Sequence, residues 1–244
     1  MILFIGCQGN MNSSYHEIES VPSAEGLTSK IMGAMGGQEN WDNTRYVYWD
    51  FFKRRKLLWD KWTGNVRIES VPDSTTYLLN VNTLKGKILK NNLIINNPDT
   101  LEHYCNRGKE IWINDSYWLV MPFKLNDPGV KLAYVGRDTT LTGIPSYVLE
   151  LSFDNVGVTP ENKYRVFVDE KDYLVKQWSY YESYQQETPS ATWPWDNYSK
   201  HGKILLSGDR SDDKGPGNVK VFDELPDSLF SSFSPININL YKAL

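Results

Sequence analysis

His103 and His201 stand alone in the sequence, without a second ligand or base at i+4, and His16 lies in a polar N-terminal stretch, so the three histidines do not outline a metal or base pair. Asp209, Asp212 and Asp213 gather with three glycines in GDRSDDKGPG, a set of hard oxygen donors of the kind calcium takes. Lys220 falls near where an EF-hand would place its bidentate Glu, so the stretch reads as a solvated hairpin tip. Carboxylates supply the remaining acid–base chemistry. Asp115 with Asp127, or Asp154 with Glu161, would have to converge on one cleft to share acid and base roles in glycoside hydrolysis. Asp115 is explained as the cap of a helix that follows it. The chain contains no Gly-x-Ser-x-Gly elbow, Walker loop or dinucleotide fingerprint. The reading is therefore non-enzymatic, with no catalytic residue, no metal and no cofactor.

Aromatic residues carry more information, because they make up 14% of the 244 residues, with fifteen Tyr and nine Trp. Such side chains combine large apolar area with a polar handle. Trp112, Tyr117, Trp118, Met121 and Phe123 cluster around NDSYWLVMPFKL. They are either ordinary core or the wall of a cavity for an acyl chain or other apolar ligand. Trp193 and Trp195 in TWPWDNY open an alternative, a glycan-binding module in which exposed rings stack on sugars. A net charge of −4 gives no general reason to bind nucleic acid.

The opening MILFIGC sets small residues before Cys7, as in the lipobox of bacterial lipoproteins, and the following QGNMNSSYHEIESVPSAEG is polar and without periodicity, as a tether is. The expectation is a lipid anchor at Cys7 that holds the protein in the cell envelope, on the outer membrane or periplasmic side. The alternative is a buried N-terminal strand with an ordinary thiol. No other stretch approaches the ~18 apolar residues of a membrane-spanning helix. Residues 1–24 are assigned to a truncated signal and tether, and 25–244 to a single domain.

Elements that would position the aromatic cluster follow from periodicity. Leu27, Ile31 and Met35 form one stripe of a short helix, closed by Gly36-Gly37. Antiparallel strands follow: RYVYWDFF and KLLWDKW about a turn at Lys53-Arg54-Arg55, then NVRIES, TTYLLNVN and a weaker LKGKIL. The middle breaks this rhythm. One helix is expected from Asp99 to Arg107, begun by Pro98, and a second, shorter one capped around Asn114 to Ser116 and stopped before Pro122. Strands resume with VKLAYV, SYVLELSF, and the hairpin KYRVFVD–YLVKQWSYY about Glu170-Lys171. KILLSGD and NVKVFDEL then precede a terminal turn or short helix at LPDSLFSS. The fold class is α+β, mainly β: a large curved antiparallel sheet, an incomplete β-barrel, with helices over its concave face.

Three segments, WDKWTGNVRIE, WINDSYWLVMPFKLNDPGV and NVGVTPENKYRVFVD, look like parts of a family of Bacteroidetes-type lipoproteins. With the order of elements from about residue 25 onward, the chain resembles the lipoprotein-localisation-factor (LolA/LolB-like) superfamily. That resemblance implies a half-barrel with an apolar cavity for lipid or acyl groups, and no catalysis.

Overall fold

A computed structural model of the chain describes residues 22–154, 159–211 and 214–244. Cys7 and the lipobox-like segment lie outside the described residues, as do Asp212 and Asp213 of the glycine-flanked acidic loop. Helix α1 (Ala24–Ala34) begins where the Ser23 hydroxyl accepts the Gly26 N–H at 3.0 Å. Its stripe of Leu27, Ile31 and Met35 is buried. The N–H of Gly37 donates to Met32 O (2.8 Å) and that of Gly36 to Gly33 O (3.1 Å), a Schellman closure. Gly36 has φ +113°, and a Cβ there would lie 2.4 Å from the Lys203 carbonyl oxygen. Only glycine lets the helix end so close to a neighbouring strand. A short α2 (Gln38–Asn43) buries Trp41 and leads into the sheet.

Strands β1 (Tyr46–Phe51), β2 (Arg55–Asp60), β3 (Asn65–Ser70), β4 (Thr75–Asn80), β5 (Gly86–Lys90) and β6 (Leu93–Ile94) form an antiparallel meander. Val47, Trp49, Leu57, Val66, Ile68, Tyr77 and Ile88 enter the main core. Tyr46, Tyr48 and Leu58, one position out of phase, enter a second cluster with Leu225, Leu229 and Ile238 of the C-terminal segment. This accounts for apolar residues on both faces of β1: the outer face is covered by the end of the chain. Arg67 fixes that cover, since its buried guanidinium donates to the carbonyls of Leu229 (3.2 Å), Ser232 (2.7 Å) and Ser234 (3.0 Å).

The two expected middle helices are one. Helix α3 runs unbroken over Pro98–Val120, capped by the Asn97 side chain and started by Pro98, and a 3-10 turn at Met121–Phe123 carries Pro122. The stretch between the two expected helices stays helical because Gly108, Ile111 and Asp115 are buried, Gly108 against β4 and Asp115 against Arg55 of β2. Tertiary packing overrides local propensity there. Asp115 is therefore not a cap. It lies inside the helix and wholly buried.

Beyond α3 come β7 (Val130–Thr139), β8 (Pro145–Phe153), β9 (Lys163–Asp169), β10 (Val175–Tyr181), β11 (Ala191–Pro194), β12 (Asp196–His201), β13 (Ile204–Asp209) and β14 (Pro216–Phe222), then α4 (Ser228–Ser231). The strands divide into a seven-stranded sheet in the order β14-β1-β2-β3-β4-β5-β6, a five-stranded sheet β11-β10-β9-β8-β7, and the β12-β13 ribbon. The ribbon packs beside β14 on one side and β10 on the other. One core cluster joins residues of both large sheets with α1 and α3. The fold is thus mainly β and antiparallel, an incomplete barrel with a long helix packed against its sheets, and the division of its strands among three sheets was not visible in the sequence.

Candidate functional site

The C-terminal half of α3 faces β8, β9 and β10 across a cavity of about 260 Å³. Its walls are Trp112, Tyr117 and Trp118 from the helix, Phe153 and Tyr164 from β8 and β9, and Trp178 from β10, with Val130 and Thr159 at the side. The rings interlock. Trp178 stacks on Tyr164 with centroids 5.1 Å apart and meets Trp118 edge-on at 4.8 Å, while Tyr117 meets Tyr164 at 5.9 Å. Strand register explains the stack: Trp178 pairs with Val166 and Tyr180 with Tyr164, so Trp178 and Tyr164 are diagonal neighbours on one face.

Of the five residues singled out from sequence, Trp112, Tyr117 and Trp118 line this cavity, whereas Met121 and Phe123 do not. Those two are core: Met121 is fully buried, and Phe123 stacks on Trp41 at 4.4 Å. Phe153, Tyr164 and Trp178 were missed. Period-two alternation marks Phe153 as facing inward with Leu149 and Leu151, but strand pairing, which brings Tyr164 and Trp178 to the helix, leaves no local signature.

At the mouth, Lys124 and Asp127 form an ion pair within the turn that follows Phe123, beside Asn114 and Pro128. Inside, polarity is sparse. The Tyr117 phenol is pushed well up by burial, and that of Tyr164 is pushed up to about 12 for the same reason. The Tyr117 hydroxyl and the indole N–H groups of Trp112 and Trp178 are buried without a hydrogen-bond partner among the described residues. The phenols of Tyr117 and Tyr164 are therefore neutral at physiological pH.

The acids considered from sequence each have their own surroundings. Asp115 is bound by Arg55 through Nε (2.6 Å) and Nη2 (2.9 Å), Asp127 by Lys124, and Asp154 by Lys131 at 3.2 Å, while Glu161 is exposed. No three His, Cys, Asp or Glu side chains group as a metal site among the described residues. His103 is exposed, and His201 is half-buried against the Ser199 hydroxyl at 2.8 Å. Cys105 is a free, buried thiol. Nor do Trp193 and Trp195 form a platform in solvent. Trp195 is wholly buried beneath the Arg210 guanidinium, 3.5 Å from its ring centroid, and Trp193 packs on Trp118 at 5.8 Å.

No protein-family model and no curated protein matches the chain. Among solved structures it is similar to a DUF1329 family protein from Desulfovibrio piger, at 10% identity over 86% of this chain and 98% of that one, with a TM-score of 0.46. It is also similar to a LolA superfamily protein from Nitrosomonas europaea, at 11% identity over 86% of this chain and 98% of that one, with a TM-score of 0.42.

Proposed function

We propose that the chain is a non-enzymatic envelope lipoprotein, anchored through Cys7, whose domain from residue 25 onward binds an apolar ligand, a lipid or its acyl group. One observation carries the reading: the cavity of about 260 Å³ is walled by aromatic rings from α3, β8, β9 and β10, with the Lys124–Asp127 ion pair at its mouth. Ligand sites are concave and mostly apolar, with a few polar groups to orient the occupant. The volume equals roughly nine waters of bulk liquid, at the low end for ligand pockets. It suits one acyl segment rather than a whole two-chain lipid.

The test is to express the chain from about residue 20, purify it without detergent, extract it with organic solvent and analyse the extract by mass spectrometry. A stoichiometric fatty acid or phospholipid supports the proposal. An empty extract, together with no uptake of added fatty acid, returns Trp112, Tyr117 and Trp118 to plain core.

A further inference from the structure

An antiparallel meander reverses at every turn, so the β1–β2, β3–β4 and β5–β6 turns come to the same end of the seven-stranded sheet. Backbone hydrogen bonds hold them side by side: the N–H of Val71 donates to Arg54 O, and that of Asn91 to Ser74 O, each at 3.0 Å. Adjacent strands lie about 4.8 Å apart, so the row from Arg54 to Leu93 spans roughly 20 Å. Its apolar side chains face solvent. Val71 is 68% exposed, Leu93 71% and Ile94 55%, with Pro72 exposed between them.

Exposed apolar residues scattered singly are ordinary, but here they share one end of one sheet with exposed cations. Arg54 and Lys56 are exposed beside them, and Lys90, at the next turn, lies with its Nζ 5.1 Å from the Tyr104 ring centroid. Asp73 lies in the second turn, and Lys56 has Asp50 and Glu69 directly opposite it on the two neighbouring strands. The whole chain carries a net charge of −4. With Lys53, Arg54, Lys56 and Lys90 against Asp50, Glu69 and Asp73, this end is weakly basic where the molecule as a whole is acidic, and an anionic surface would attract this end while repelling the rest.

We infer that this end of the sheet seats on an anionic phospholipid surface, with Val71, Leu93 and Ile94 entering the boundary between headgroups and acyl chains and with Arg54 and Lys56 on the phosphates. The inference does not depend on the cavity being a ligand site. The two are joined by ring contacts: Phe51, at the end of β1, and Phe52, in the first turn, lie edge-on to Trp118 at 5.9 and 5.3 Å, and Trp118 walls the cavity.

The experiment is sedimentation of the full-length, unacylated chain with vesicles of equimolar phosphatidylglycerol and phosphatidylcholine, and with vesicles of phosphatidylcholine alone. Binding is expected to the anionic vesicles only and to weaken as salt is raised. Leu93→Asp with Ile94→Asp, and separately Arg54→Glu with Lys56→Glu, should each lower the partition coefficient by about tenfold or more at unchanged Tm. Leu240→Asp, an exposed position on the C-terminal segment, should leave it unchanged. Wild-type protein that ignores the anionic vesicles overturns the inference. So does undiminished binding by both double variants, which would move the contact to another part of the chain.

Discussion

Arg55 grips Asp115 with two nitrogens, Nε to Oδ2 at 2.6 Å and Nη2 to Oδ1 at 2.9 Å, across the interface between β2 and the middle of α3. Asp115 is wholly buried, and Asn114 Nδ2 donates to the same carboxylate at 2.9 Å. Burial pushes the carboxyl above its ordinary range, and the guanidinium pulls it part of the way back. The pair fixes the rotation of α3 about its axis where Trp112, Tyr117 and Trp118 turn toward the cavity. A charge that looked like a surface cap thus sets the geometry of the aromatic wall.

Breaking this pair on one side should cost far more than removing it whole. Arg55→Met strands a buried carboxylate and is expected to lower unfolding stability by about 3–5 kcal/mol, whereas Arg55→Met with Asp115→Leu should recover most of that loss. Urea unfolding of the two variants decides it. A single variant that costs under about 1 kcal/mol would mean that water reaches the pair.

Gly108 sets how closely α3 approaches β4. In an open helix, Gly→Ala gains about 1 kcal/mol. Here a Cβ would meet Leu79 Cδ2 and Tyr77 Cδ1, both at 2.9 Å, and overpacking of that kind costs about 1–3 kcal/mol. The clash should win, so Gly108→Ala is expected to lower Tm, as calorimetry would read; a raised Tm would mean that the Tyr77 ring yields freely.

Sequence reading recovered what is local. The stripe and glycine closure of α1, the alternation in β3, the β9–β10 hairpin and Pro98 at the start of α3 all rest on contacts within a few residues. It failed where partners are far apart in the chain. Asp115 reads as a cap until Arg55, sixty residues earlier, is placed beside it. Phe123 belongs with Trp41 and not with its neighbour Trp118, because the 3-10 turn at Pro122 rotates it away from the cavity. Strands β11 and β12 escaped notice since their residues are mostly half-buried or exposed and lack a clean apolar alternation.

Lys61 should titrate in a range unusual for an ammonium. Its Nζ lies 3.4 Å from the Trp41 ring centroid and donates to the carbonyls of Trp41 and Thr44, and burial lowers its pKa to about 8. Between pH 8 and the ordinary 10.5 the unfolded chain holds the proton that the folded chain has released, so this group's contribution to stability rises with pH across that window. Comparison of wild type with Lys61→Met in urea should show the variant lacking that part of the rise. After reductive methylation, the Lys61 signal in carbon NMR should move with a midpoint near 8, and a midpoint near 10.5 would show that water solvates the ammonium.

The cavity can be tested by chemistry that leaves the core intact. Tyr117→Phe removes a buried hydroxyl that has no partner among the described residues, and loss of such a group should be neutral or slightly stabilising. Destabilisation by more than about 1 kcal/mol would instead mean that an ordered water or an occupant accepts its hydrogen bond. Val130→Trp, at the half-buried start of β7, should fill the space from its side and abolish uptake of a fluorescent fatty acid while stability holds. Trp118→Asp should abolish uptake as well, because it places a charge among rings, though at a cost of several kcal/mol to folding. The pair of variants separates the causes: uptake lost in both places the ligand between α3 and β8–β10, whereas uptake surviving Val130→Trp at normal stability puts it elsewhere.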